Sequence, residues 1–229
     1  GPSRTGERPH MDTGKVSTDE FKKILDDMLE TGARHTNLPL THTVGRGAAF
    51  EWAIADLIAT YEDRFPDPVD DACVGEWGGS NDLKCDLWFE DPVDQHILIV
   101  QAKYNKPGST TKVGDFEGFC NAWQNHLNWE YVQQHGNDDI RDRLNGFKER
   151  LATSWSVEYR YVTNSKFNDR CRSDFSAAQE SASNSPYSID ISYQDLSKFK
   201  DYYVQALSLS RPIPKEARFN VRTNYFIDA

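Results

Sequence analysis

Hydrophobic residues along this chain first recur at helical spacing and then switch to alternation. Phe21, Ile24, Leu25, Met28 and Leu29 follow Ser17 and Thr18, so the pattern predicts a capped amphipathic helix over about 18–31 with Gly32 as its stop. Phe50, Ile54, Leu57, Ile58 and Tyr61 predict a second helix over about 47–64, closed by Pro66 and Pro68. Three strand-like segments come next, near 71–77, 83–90 and 96–104. Gly78-Gly79-Ser80-Asn81 and Asp91-Pro92 separate them with turn chemistry, which makes a meander. Helical periodicity returns over about 115–134 and 138–152, ahead of a β-rich run, VEYRYVT, at 157–163. The remainder alternates between a helix at about 167–182, a strand near 187–193, a helix at about 194–208 and a strand near 217–223. This order predicts an α/β fold with a central mixed β-sheet flanked by helices on both faces.

Composition narrows the class. The longest aliphatic run, Ile97-Leu98-Ile99-Val100, is far short of the about 20 residues that span a bilayer, so no membrane segment is expected. Cys73, Cys85, Cys120 and Cys171 stand singly. They read as reduced core residues of a cytoplasmic protein, not as bridges or zinc ligands. The stretch GPSRTGERPH ahead of Met11 reads as a vector-derived tag remnant. With no internal repeat and no long linker, residues 11–229 read as one domain. The formal net charge of −10 is unusual for a nucleic-acid binder, but the charge is segregated: residues 141–172 hold 8 basic and 4 acidic side chains.

The candidate chemistry sits on the second and third strand-like segments. Side chains alternate along a strand, so Ile97, Ile99, Gln101 and Lys103 share one face, which turns polar midway. Asp86 shares a face with Lys84 and Trp88 on the preceding segment. A hairpin would bring Asp86 beside Gln101 and Lys103, an oxygen-rich site for a hard divalent cation with an ammonium group at its side. Glu76 and Asp82 are possible further ligands, each with an ordinary reading as a solvated turn residue. His42, His96, His126 and His135 show no i, i+4 pairing, and no G-x-S-x-G elbow or phosphate-binding loop occurs. Zinc catalysis, hydrolase triads and NTP hydrolysis therefore lack support. Trp123 and Trp129 could stack on bases, but they read more readily as packing residues.

The segment GGSNDLKCDLWFED followed by HILIVQAKY resembles the PD-(D/E)XK nuclease superfamily, in which an Asp on one strand and an acid-x-Lys on the next bind magnesium and activate water. More narrowly, the glycine-rich approach to Asp86 and the QAKY ending resemble the amino-terminal nuclease domain of abortive-infection phage-resistance (AIPR) proteins. AAFEWAIADLI and the later RYVTNSKFNDRCRSDF are similar to parts of Mrr-like restriction endonucleases. The likeness covers about residues 46–180 and departs from the superfamily at Gln101, an amide where an acid is usual. It implies a restriction-endonuclease-like core. It also implies Mg2+ or Mn2+ held by Glu51, Asp86, Gln101 and the main-chain carbonyl of Ala102, with Lys103 positioning the attacking water. The implied substrate is nucleic acid, DNA ahead of RNA, in anti-phage defence. A homodimer would suit two-strand cleavage, and further protein beyond Ala229 and defence partners would be expected. Lys148, Arg150, Arg160, Lys166, Arg170 and Arg172 are candidates for phosphate contacts. A catalytically inactive docking module and an RNA-cleaving enzyme remain the alternatives.

Overall fold

A computed structural model describes residues 16–209. Ser17 caps α1 (Thr18–Thr36), its hydroxyl accepting from the Glu20 amide while Glu20 bonds back to the Ser17 amide. Gly32 does not stop this helix; Asn37 does, in the left-handed conformation with φ 58°. Gly32 instead lies where α1 crosses α2 (Thr43–Tyr61), and a Cβ there would stand 2.1 Å from the Ala49 carbonyl oxygen. The missing side chain sets the distance between the two helices.

Four strands form one mixed sheet in the order β1 (Leu87–Asp91), β2 (His96–Lys103), β3 (Ser156–Thr163) and β4 (Ile189–Gln194). β1 and β2 are an antiparallel hairpin in which Leu87 faces Val100 and Asp91 faces His96. β2 and β3 run parallel, as do β3 and β4, so each of these pairs needs a helical crossover. The first crossover carries α4 (Val113–Cys120), α5 (Ala122–His126), α6 (Trp129–His135), α7 (Asp138–Leu144) and α8 (Phe147–Thr153); the second carries α9 (Asp169–Ser183). Ile97, Ile99, Tyr159 and Tyr161 pack under the crossover helices. On the other face Leu98, Val100, Phe89 and Val162 pack against α1, α2 and α10 (Leu196–Leu209). The α/β class and the mixed sheet with helices on both faces are therefore as the pattern predicts.

Four expectations change, the first being the helix over about 138–152, which is two helices, α7 and α8, separated by Asn145 and Gly146. Residues 71–77 are not a strand: they hold the end of the short helix α3 (Val69–Ala72) and an isolated bridge from Cys73 to Leu87. The second segment becomes regular only at Leu87, because Asn81, Leu83 and Lys84 all have positive φ and turn the chain. As a result Cys85 packs with Trp88 on the crossover side, whereas alternation would group it with Leu87 and Phe89. The long helix over 115–134 is three short ones, broken at Asn121 and at Asn128; the Asn128 side chain accepts from the Tyr131 amide and starts α6. The strand near 217–223 lies outside the described residues, as do the first ten residues.

Among the described residues, no helix is long and apolar enough to cross a membrane. All four cysteines are buried and unbridged.

Candidate active site

The site forms where the hairpin opens beyond its last ladder pair. The Asp86 amide donates to the Val100 carbonyl (2.9 Å), and the Asp86 Oδ2 accepts from the Ala102 amide (2.8 Å). The carboxylate thus takes over the ladder position that a backbone carbonyl would fill. Gln101, between those two partners, is 5% exposed, and its Oε1 is buried with no hydrogen-bond partner. Glu51 reaches in from α2 and accepts from the Gly78 amide (3.1 Å). Its carboxylate feels the charges of both Asp82 and Lys103, and Asp86 feels those of Glu51 and Asp82. Glu51, Asp82 and Asp86 are within one another's electrostatic reach and Lys103 is within that of Glu51, while Gln101 is placed beside Asp86 only through the backbone of its neighbours Val100 and Ala102. Glu76 is exposed.

The segment carrying these acids is strained and heavily anchored. Gly75 and Gly78 adopt φ of 77° and 68°, Leu83 and Lys84 φ of 56° and 70°. With Asn81 at φ 59°, three non-glycine residues stand in the left-handed region, at a cost of about 1–3 kcal/mol each. Contacts from the crossover helices offset that cost. Asp139 accepts from the Gly75 amide (2.7 Å), the Asn137 amide donates to Asn81 O (2.7 Å), and the Asn137 side chain donates to Ser80 O (3.1 Å). His126 Nε2 lies 2.9 Å from the Leu83 carbonyl and Nδ1 lies 2.9 Å from the Tyr159 hydroxyl. A carbonyl only accepts, so Nε2 carries the proton and Nδ1 accepts from the tyrosine. Burial pushes the His126 pKa down to about 4, so the ring stays neutral. His126, Asn137 and Asp139 are positioning residues that sequence reasoning missed, and no motif marks them.

Burial pushes the Glu51 carboxyl up to about 7; the Gly78 amide opposes that rise and the Asp82 charge adds to it. Asp86 is raised well above the usual carboxylate range by burial, then by the charges of Glu51 and Asp82. Acids that raise one another's pKa form a site short of positive charge. The Gln101 oxygen, buried and unpartnered between the two residues whose backbone bonds Asp86, is a neutral donor of the kind hard cations accept. Cys73 is pushed up to about 12 by burial and by the Glu51 charge. Among the described residues, no three His, Cys, Asp or Glu side chains are by themselves arranged to hold a metal ion.

The Glu51 shift has a sign that can be measured. A glutamate whose ordinary pKa is 4.5 and that titrates at about 7 when folded binds its proton more tightly in the native state. Its stabilising contribution is then fully present below the unfolded pKa and is lost as pH rises through about 7. His126, depressed when folded, acts in the opposite sense. The difference in melting temperature between Glu51→Gln and the unsubstituted protein is expected to grow with pH and to level off above about 7. A pH-independent difference would mean that Glu51 titrates as an ordinary solvated acid.

The basic candidates are dispersed. Arg160 is 8% exposed and lies on the α1/α2 face, held by Glu62 (2.6 Å) and Glu158 (2.9 Å), so it is not available to a phosphate. Arg150 pairs with Glu90 and lies over the Trp155 ring, while Arg170 and Arg172 pair with Asp174 and Asp169 along α9. Lys148 and Lys166 are exposed. Trp123 is buried in the core under α5 and Trp129 is 41% exposed. Compared with protein-family models, curated proteins and solved structures, the chain has no match.

Proposed function

We propose that this chain is a metal-dependent nuclease with a restriction-endonuclease-like core, hydrolysing phosphodiester bonds of nucleic acid, DNA ahead of RNA, in anti-phage defence. One observation carries the reading. The buried, unpartnered oxygen of Gln101 lies at the open end of a hairpin that also holds Asp86 and Lys103, with Glu51 converging from α2. Asp86 before the first strand and Gln101-x-Lys103 on the second is the arrangement that the sequence resemblance implies.

Each residue then has a task. Glu51, Asp86 and Gln101, with the Ala102 carbonyl, would hold Mg2+ or Mn2+. When bound, such an ion supplies Lewis acidity toward water and phosphate oxygens. Asp86 is held in orientation by the Ala102 amide, and Glu51 by the Gly78 amide. Lys103 orients the attacking water and offsets the charge that builds on the phosphoryl oxygens. The strained 81–84 segment keeps Asp82 and Asp86 close to each other despite their repulsion.

A second reading, an inactive nuclease-fold module that docks nucleic acid or protein, is favoured by Gln101 in the place of an acid and by the lack of a three-acid metal group among the described residues. The test is incubation with supercoiled plasmid, linear duplex, single-stranded DNA and RNA, each with magnesium, manganese or chelator. Cleavage that needs the metal supports the nuclease. Intact substrates in every metal-containing tube favour the module.

A further inference from the structure

A cavity of about 550 Å³ opens where the chain leaves β2, at the residue after Lys103. That is within the about 300–1,000 Å³ range of ligand sites. Arg46 of α2, Lys106 of the following loop and Lys112 at the start of α4 all line it, together with Thr43, Asn105 and Thr110, and no carboxylate does. In a chain with formal net charge −10, three cations around one cavity without an acid invert the local balance. None of the three is in an ion pair among the described residues, unlike Arg150, Arg160, Arg170 and Arg172. Arg46 donates to Leu40 O (2.8 Å) and Thr43 Oγ1 (3.3 Å), which fixes its guanidinium and leaves further N–H groups for a ligand.

The floor of the cavity is preorganised. The Asn105 amide donates to Asn164 Oδ1 (2.7 Å), and Asn164 Nδ2 donates to the Asn105 carbonyl (2.8 Å). The Asn105 side chain reaches Thr163 (3.2 Å) and Ser165 (2.9 Å), both fully buried. These bonds fix the backbone of the loop from β2 to the β3 end, so binding an anion there would cost little ordering of the loop. On the way from the cavity toward Glu51, Gly47 lies one turn before Glu51 on the same face of α2, and a Cβ added there would meet only open space.

We propose that Arg46, Lys106 and Lys112 hold the sugar–phosphate backbone of the nucleic-acid strand next to the bond that the Glu51/Asp86/Gln101/Lys103 site would cut. The inference rests on the nucleic-acid reading of that site. It places the phosphate contacts at the exit of β2, on a loop whose backbone pairs with Lys166, and not on Lys148, Arg150, Arg160, Arg170 or Arg172.

The test measures anisotropy of fluorescein-labelled 20-mers with the full chain: single-stranded DNA, the matching RNA and duplex DNA, in calcium, over a salt titration. Lys106→Glu combined with Lys112→Glu reverses two exposed side chains. The pair is expected to weaken binding at least about tenfold and to lower the salt slope by roughly 1.5, because two phosphate contacts are lost. The control, Lys23→Glu combined with Lys198→Glu, makes the same charge change at exposed positions outside the cavity and is expected to change affinity less than about twofold. The tightest probe identifies the strand as DNA or RNA. Equal losses in both double variants, an unchanged slope, or no binding of any probe by the unsubstituted chain would overturn the proposal. The two readings separate cleanly. Binding through this cavity with no cutting in magnesium or manganese removes the nuclease and leaves the groove, while cutting with unchanged binding of the Lys106/Lys112 variant removes the groove and leaves the nuclease.

Discussion

Lys103→Ala is expected to slow phosphodiester cleavage by about 10²–10³, the cost of losing one electrostatic stabiliser of the transition state. Lys103 is at the last position of β2 and only half-buried, so the substitution removes charge without opening the core. Asp86→Ala is expected to lose metal affinity as well as rate, because the site already contains a neutral oxygen where an acid is usual. It also leaves the Ala102 amide without its acceptor. Nicking rates and magnesium calorimetry on both variants separate these roles. A Lys103→Ala protein that cuts at the original rate would remove Lys103 from the chemistry. An Asp86→Ala protein that binds magnesium unchanged would remove Asp86 from the ligand set.

Arg160→Met is expected to destabilise the fold by about 3–5 kcal/mol, the range for breaking a buried ion pair from one side. Arg160 bonds Glu62 at 2.6 and 3.2 Å and Glu158 at 2.9 and 3.1 Å; Tyr202 donates to Glu62 (2.7 Å) and Ser192 to Glu158 (2.7 Å). This network joins the end of α2, β3, β4 and α10. Without the guanidinium, two largely buried carboxylates repel each other. Burial alone would raise the Glu158 carboxyl, but the Arg160 charge and the hydrogen bonds from Arg160 and Ser192 outweigh it and hold the pKa below its ordinary 4.5. That contribution is present above the unfolded pKa and is lost as pH falls through the lower folded value. Urea unfolding at neutral and acid pH reads both effects. A loss under about 1 kcal/mol at neutral pH would mean that water replaces the guanidinium at no great cost.

How much of this was legible in the sequence differs by element. The helices that bury one face, α2 and α9 against the sheet and α1 against α2, announce themselves because burial imposes the helical period. β2 and β3 do so through their apolar runs. The 71–86 stretch misleads because its alternation comes from residues that pack in a coil. Leu83 and Cys85 are held by His126 and the crossover helices, and three positive φ values stand where a strand would need extended backbone. Asp86, Gln101 and Lys103 were readable from their spacing, and Glu51 only through resemblance. The fate of the arginines was not readable. Nothing local distinguishes Arg160, committed to Glu62 98 positions earlier, from a cation facing solvent, whereas Arg46, Lys106 and Lys112 are separated in sequence and meet only in the fold.

The anchoring of the 75–84 segment bears on synthesis. Asp82 and Asp86 leave the ribosome well before His126, Asn137 and Asp139, whose bonds hold that segment in its costly conformation. The parallel partner of β2 comes later still, at Ser156–Thr163. A nascent chain that already carries every candidate ligand therefore lacks the supports that shape the site, and the cluster becomes ordered only once the crossover helices and β3 have emerged.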